Sequence, residues 1–248
     1  MSRIKKAVIL AAGGGLRLRP MTDNIPKCLV RVNGKAILSN ALEALRDAGI
    51  EESILVVGYK SGQIREAAGS ASGSMNITYV ENGIYDKTNN IYSLYLAREH
   101  LREGAVLLEG DIFFENGILK RLLAEDAGRT CWVADKFTPD LDGCMLTADK
   151  NGMIADIRIV REKLGEYRDN FFKSVGMLKI TAVFGEKFAK WLEEETANGV
   201  NNIYYDLVLA KHVKDEPLYV CDISGSKWAE IDNQEDLRLA EKKFESMI

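Results

Sequence analysis

The amino-acid sequence predicts an α/β fold: a Rossmann-like, mostly parallel twisted sheet with helices on both faces, completed by a small mixed α/β region. Three observations lead there. Apolar runs of strand length alternate with helix-period segments through the first half of the chain. The first run, Lys6 to Ala11, feeds a glycine-rich loop rather than a hairpin turn. The chain has 248 residues and is 46% hydrophobic, enough to bury the core of a large α/β domain.

Taken in order, Lys6 to Ala11 is the first strand. Ile37 to Ala48 follows as a helix, with Leu38, Ala41, Leu42 and Leu45 at helical spacing and Gly49 as its stop. Ser53 to Val57 is the second strand, ended by Gly58, and Ser61 to Ala68 a short helix. Residues 69 to 76, rich in glycine and serine, read as a mobile surface loop. Ile77 to Val80 is the third strand and Ile91 to Leu101 a helix. Ala105 to Leu108 is the fourth strand, and it runs straight into Glu109-Gly110-Asp111.

The second half is less regular. Thr130 to Ala134, Cys144 to Ala148 and Met153 to Ile159 read as strands, the last two joined as a hairpin by Asp149-Lys150-Asn151-Gly152. Ser174 to Ile180 is a strand, Phe184 to Glu194 and Tyr204 to His212 are helices, Leu218 to Asp222 is a strand, and Asn233 to Phe244 is a closing helix. No internal repeat or linker interrupts residues 1–248, so they are expected to form a single domain.

Composition excludes several classes. The formal net charge is −4, which argues against a general nucleic-acid surface. Arg17, Arg19, Lys27 and Arg31 nevertheless cluster locally, as a pocket for a small anion requires. Cys28, Cys131, Cys144 and Cys221 form no C-x-x-C pair, which fits thiols in a reducing compartment rather than a disulfide frame or zinc site. The N-terminal apolar run is too short for a signal peptide, and no stretch reaches membrane-spanning length. A cytoplasmic protein that binds no membrane is expected. His100 and His212 are the two histidines, and neither can be assembled into a Ser-His-Asp or Cys-His constellation.

The residues that carry chemistry begin in the glycine loop. Gly13, Gly14 and Gly15 follow Leu10, Ala11 and Ala12, and the loop continues through Arg17, Arg19, Pro20, Pro26 and Lys27. Consecutive glycines open φ values closed to other residues and let backbone N–H groups converge on an anion. The prolines stiffen the loop, so its charges need not be ordered afresh on binding. The spacing fails the dinucleotide pattern, which would put a third glycine at Leu18. It also fails the Walker pattern, because Ala36 follows Gly34-Lys35. A triphosphate fits such a loop. Asp111 follows another strand end, hence the same rim of the sheet. A carboxylate facing a phosphate loop implies a divalent metal between them, and oxygen ligands favour Mg²⁺. Taken alone, Asp111 also reads as a helix cap or turn residue before Glu115-Asn116. Asp232 likewise reads as a helix cap with Glu235 in the capping-box position.

The stretch from Leu10 to Lys27 resembles the L-A-A-G-x-G-x-R-L-x-P-x-T-x-x-x-P-K signature of the sugar-nucleotide and cytidylyl transferase superfamily. The resemblance implies a GT-A-like nucleotidyltransferase fold, with a nucleotide-binding half over residues 1–125 and an acceptor-binding half over 126–248. It assigns metal ligation to Asp111, in Leu108-Glu109-Gly110-Asp111, and to Asp232, in Glu230-Ile231-Asp232. It implies that Lys27 holds the α-phosphate and the acceptor phosphate together and that Arg17 binds the β- and γ-phosphates. Nucleotide contacts are expected from Leu10, Ala11, Ala12, Gly13, Gly14, Gly15, Gly58, Tyr59, Asn82 and Ser93. An acceptor phosphate is largely dianionic near neutral pH, its second pKa being roughly 6, so no general base is needed.

Asn89-Asn90-Ile91-Tyr92-Ser93-Leu94-Tyr95-Leu96 is similar to the N-N-x-Y-S-L-Y-L of bacterial choline-phosphate cytidylyltransferases. Val175 to Ile180 and Glu230 to Asn233 resemble parts of 2-aminoethylphosphonate cytidylyltransferases. These similarities imply CTP as donor and a small, often amine-bearing, phosphate or phosphonate as acceptor, bound by a monomer or homodimer. Acceptor contacts are expected from Lys27, Tyr92, Tyr205, Asp206 and Trp228. An aromatic cage for choline would draw on Tyr204, Tyr205, Trp228 and Trp132. The choline-phosphate enzymes carry a Trp where this chain reads Asp140-Leu141-Asp142-Gly143-Cys144, which counts against phosphocholine. Asp140, Asp142 and Asp206 would instead suit a primary ammonium. Two other readings stay open: a sugar-1-phosphate nucleotidyltransferase using UTP, dTTP or GTP, and a nucleotide-sensing module without turnover.

Overall fold

A computed structural model describes residues 4–138, 141–162 and 167–245. The parallel half of its sheet is built from β1 (Lys6–Ala11), β4 (Glu52–Val57), β5 (Asn76–Glu81) and β6 (Ala105–Glu109). These lie in the order β5-β4-β1-β6, so the chain reverses its winding at β1. Between β1 and β4 come a two-residue ribbon, β2 (Arg31–Val32) with β3 (Lys35–Ala36), and α1 (Ile37–Asp47). The crossovers α2 (Ser61–Ala71) and α3 (Asn90–Leu96) follow β4 and β5.

The strongly apolar β1 explains its central place. Ala7, Ile9 and Ala11 face α1, α2 and α4 (Gly117–Ala124), while Val8 faces α3 and α5 (Ala182–Ala197). This two-sided burial is what an unbroken apolar strand requires. The second half extends the sheet. After β7 (Ile112–Phe114) and α4, the chain forms β8 (Cys131–Lys136), β9 (Gly143–Ala148), β10 (Ile154–Val160) and β11 (Phe171–Ile180). The last segments are α6 (Tyr205–His212), β12 (Tyr219–Asp222), β13 (Trp228–Glu230) and α7 (Gln234–Lys243). Strand β11 runs antiparallel between β6 and β8, and β12 joins β8 in parallel. The expected β9–β10 hairpin forms through the Asp149 turn, where the Asp149 carboxylate accepts from Asn151 and Met153 N–H.

Three local expectations change. Helix α2 continues to Ala71, shortening the expected loop, because Ala68 and Met75 are buried and the Ser53 hydroxyl donates to Met75 Sδ. Helix α3 ends at Leu96 and gives way to a tight 3₁₀ turn over Arg98–Leu101, where the Arg98 side chain donates to the Tyr95 carbonyl. Helix α4 and the ladder β7–β13 are additional elements.

That ladder positions the site. Glu230 pairs with Ile112, and the Ile231 N–H donates to Asp111 O at 3.0 Å. Two carboxylates far apart in sequence are thereby brought to adjoining corners. A cluster of Leu18, Val30, Phe113, Ile231, Leu237 and Phe244 fastens α7 to the glycine loop behind them. No described helix is long and apolar enough to cross a membrane.

Gly110 lets β6 deliver Asp111 against β1. Its N–H donates to Leu10 O at 3.0 Å, and a Cβ there would stand 2.6 Å from that same oxygen. The substitution Gly110→Ala is therefore expected to force the two strand ends apart. Overpacking of this kind costs roughly 1–3 kcal/mol, measurable by urea unfolding against the wild type.

Candidate active site

The glycine loop leaves β1 and folds through three short 3₁₀ turns, Leu16–Leu18, Met21–Asp23 and Lys27–Leu29. Gly15 has φ +61°, and a Cβ there would lie 2.9 Å from Lys27 Cβ. The glycine thus admits the lysine stem. Thr22 donates its hydroxyl to Gly15 O at 2.7 Å, and Tyr59 donates its own to the carbonyls of Thr22 and Asp23. Among the described residues, no backbone carbonyl accepts from the N–H groups of Gly13, Gly14 or Gly15. These donors remain available to an anion.

Lys27 is the centre of the site. Its ammonium donates to Asp111 Oδ2 at 2.6 Å and to Asp232 Oδ1 at 2.5 Å. Arg17 reaches the same Asp232 oxygen at 2.7 Å from a largely exposed position. Burial works against the Lys27 ammonium, but the two carboxylates outweigh it and hold its pKa above the ordinary lysine value. Burial also pushes the Asp232 carboxyl up, yet Lys27 and then Arg17 overcome this and hold it below the usual range. Neither aspartate is a helix cap. Asp111 sits in the turn between β6 and β7, and α7 is capped by Asn233 in a capping box with Asp236. The box leaves the Asp232 side chain free to turn inward while its N–H donates to Asp236.

These residues line a cavity of about 540 Å³ beyond the carboxyl ends of β1 and β6. Leu10, Ala12, Gly13, Gly15, Arg17, Lys27, Ser93, Asp111, Asp206 and Asp232, all expected from the sequence, lie on its wall. Ala11, Gly14, Gly58, Tyr59 and Asn82 do not. Ala11 packs in the core, and Gly14 lies against the Tyr59 ring. The Tyr59 N–H donates to Ala12 O, and Gly58 permits that approach, since a Cβ there would lie 2.8 Å from the same oxygen. Asn82 is buried and donates to Thr88 and Ser93, shaping the wall from behind. Arg19 and Arg31 are likewise off the cavity, paired with Asp23 and with Gly34 O.

The expected acceptor aromatics also lie elsewhere. Tyr92 packs beside Tyr95, and Tyr205 is buried beneath the cavity. Trp228 donates its indole N–H to Asp135, and Trp132 is buried with its own donated to Ser174. Of the four cage candidates, Tyr204 alone lines the wall. Asp142 lines it too, and Asp140 lies outside the described residues.

Sequence reasoning gave no role to Glu109 or Lys173. Both line the cavity, as do Asp206 and Glu230. Lys173 is buried on β11 and donates to Glu230 at 3.0 Å. Burial, then Asp206, Asp111 and Glu230, push the Glu109 carboxyl well up. Burial raises Asp206 and Glu230 as well, the latter against the pull of Lys173. Among the described lining residues, six acids face four bases.

The pair Asp111 and Asp232 fits a divalent cation. Asp111 Oδ1 is buried with no hydrogen-bond partner, an orphaned oxygen beside the glycine loop. Among the described residues no three metal-ligating His, Cys, Asp or Glu side chains converge. Mg²⁺ suits a site of one or two carboxylates that is completed by water and substrate phosphates.

Comparison with known proteins agrees with this geometry. Residues 7–166 match the MobA-like NTP transferase domain. The chain belongs to this family. It is a nucleotidyltransferase. It is 34% identical over 243 residues to the CMP-5'-(3-aminopropyl)phosphonate synthase of Streptomyces rubellomurinus, covering 96% of this chain and 38% of that protein. It is 31% identical to the choline-phosphate cytidylyltransferase of Streptococcus pneumoniae, covering 96% of this chain and 97% of the relative. The solved structure of the CTP:phosphocholine cytidylyltransferase from Streptococcus pneumoniae superimposes with a TM-score of 0.82 at 27% identity, covering 97% of this chain and 99% of that one. The GT-A-like fold expected from the glycine loop is the one observed.

The raised Asp206 carboxyl has a consequence for stability. The folded state holds this proton more tightly than the unfolded chain. Its contribution is therefore full below the ordinary aspartate pKa, about 4, and is lost as pH rises through the elevated folded value. Asp206→Asn should melt at higher temperature than wild type at pH 8. The gain should shrink as the pH falls toward the ordinary carboxylate range, which thermal melts across pH will show.

Proposed function

We propose that the chain transfers CMP from CTP to the phosphate or phosphonate of a small amine-bearing acceptor, releasing pyrophosphate in a Mg²⁺-dependent reaction. The observation that carries this reading is one cavity with two chemically opposite ends. Lys27, Arg17 and the glycine N–H groups stand at one end, and Glu109, Asp206 and Glu230 at the other. The first suits phosphates and the second a cation. The relatives named as a CMP-5'-(3-aminopropyl)phosphonate synthase, a choline-phosphate cytidylyltransferase and a CTP:phosphocholine cytidylyltransferase support the choice of donor and acceptor class. A sugar 1-phosphate would leave the acidic end facing neutral hydroxyls.

The chemistry follows from positioning and charge. An acceptor oxygen attacks the α-phosphorus of CTP. The new O–P bond forms as the bond from the α-phosphorus to the bridging oxygen breaks, and that electron pair leaves with pyrophosphate. The acceptor is already dianionic, so no side chain need remove a proton. Lys27 turns from its carboxylates to the α-phosphate and the acceptor phosphate, reducing the repulsion between two anions. Arg17, at the exposed lip, holds the β- and γ-phosphates. Loop N–H groups fix the triphosphate for in-line displacement. Held by Asp111 and Asp232, Mg²⁺ would supply charge neutralisation on the triphosphate.

The test is pyrophosphate release with Mg²⁺, with CTP, UTP, GTP, ATP and dTTP each offered 2-aminoethylphosphonate, phosphocholine and glucose 1-phosphate. Release with CTP and an amine acceptor is expected. Lys27→Ala should lower kcat/KM by at least about 10²–10³, the range for removing one preorganised donor to a charged transition state. Release only with UTP or dTTP and glucose 1-phosphate would overturn the proposal.

A further inference from the structure

The acceptor end has a feature that the proposed reaction does not require. Gly143, the first residue of β9, has φ +91°, and a Cβ there would stand 2.7 Å from Lys173 Nζ. The space that a side chain at 143 would enter is filled by the protein's own ammonium. Lys173 is 7% exposed and is held there by Glu230.

The acids beyond it are poorly supplied with donors. Glu109 projects toward Gly176, whose missing Cβ would lie 3.0 Å from Glu109 Oε2. The neighbouring Tyr205 hydroxyl is buried and makes no hydrogen bond of good geometry. Asp206 is 5% exposed and is met by its own backbone N–H and by the Cys144 thiol, a weak donor. Lys173 donates to Glu230 and acts on Glu109 and Asp206 through charge alone, so these two form the negative seat. Buried carboxylates need hydrogen bonds as well as a counter-charge.

We propose that Lys173, seated in the space left by Gly143, makes the acceptor end select a primary ammonium over a trimethylammonium. This deepens the cytidylyl-transfer reading and rests on it. A primary ammonium brings three N–H donors to Glu109 and Asp206. A trimethylammonium brings none, keeps its charge farther from the oxygens, and is held best by aromatic faces. Among the described lining residues only Tyr85 and Tyr204 are aromatic. The wall at Gly143 carries the Lys173 charge, and a side chain there would meet that ammonium.

Phosphoethanolamine and phosphocholine are the sharpest probes, because they differ only in three N-methyl groups. With CTP and Mg²⁺, wild-type kcat/KM should favour phosphoethanolamine by at least about tenfold, the worth of one or two net hydrogen bonds. In Lys173→Ser that ratio should move about tenfold toward phosphocholine, through the acceptor KM and with the CTP KM unchanged. Lys173→Arg, which keeps the charge and most of the bulk, should retain the wild-type preference. Wild-type turnover of phosphocholine at or above that of phosphoethanolamine would overturn this proposal and leave cytidylyl transfer standing, even if the variants fail to fold. An unchanged ratio in a folded Lys173→Ser would overturn the part given to Lys173. No CTP-dependent pyrophosphate release with any amine acceptor would overturn both.

Discussion

The site depends on one ammonium held between two carboxylates. Lys27 lies on a loop after the first strand, Asp111 in the turn after the fourth parallel strand, and Asp232 before the last helix. A partly buried trio of this kind tolerates little misplacement, because each charge loses solvation that only its partners can replace. Much of the surrounding structure serves that requirement. The three-residue ladder β7–β13 brings the aspartates together, and Gly15 leaves room for the lysine stem. The Asn233 capping box starts the last helix one residue beyond Asp232, which keeps that carboxylate from being spent on backbone N–H groups.

Lys27 has two roles that follow one another in the proposed reaction. At rest it is the counter-ion of the carboxylates. With a triphosphate present, anionic oxygens compete for it, while Asp111 and Asp232 come to need a different cation. The orphaned Asp111 oxygen fits this exchange, since a pair designed only to hold an ammonium would have no use for it. The acceptor end works by the opposite logic. Burial raises the Glu109, Asp206 and Glu230 carboxyls there, so a positively charged group would be favoured beside them. In the proposed reaction the two ends would give an amine-bearing phosphonate a single orientation, with its anionic head toward Lys27.

What was legible in the sequence follows from how each element earns its place. Strands β1, β4 and β6 are buried on both faces, so they read as unbroken apolar runs bounded by glycine. The glycine loop is contiguous, and its glycines and prolines carry their conformational meaning locally. Asp111 and Asp232 were legible through the motifs around them. The strands β7 and β13 were not, because three residues are too few to display a period. Glu109 reads as the residue that follows a strand, and Lys173 as a polar residue just before one. Its partner Glu230 is remote in sequence, so nothing local marks it as buried. The aromatic cage candidates mislead for a related reason. Large rings at strand and helix positions fill cores first, as Trp132 and Tyr205 do.

The absent side chains at glycines are part of the site's chemistry. Gly15 makes way for Lys27, Gly143 for the Lys173 ammonium and Gly176 for the Glu109 carboxylate, while Gly110 lets the Asp111 corner close on β1. Three of the four have positive φ, so the backbone conformation and the cleared space favour the same residue. A charged group set into such a space is hemmed by main chain rather than by mobile side chains. It loses little further freedom when substrate binds, which lowers the ordering cost of binding. The glycines of the loop were read as a cradle for phosphate. Those at 110, 143 and 176 apply the same device to the protein's own charges, which in the proposed reaction would set where an acceptor's positive and negative ends lie.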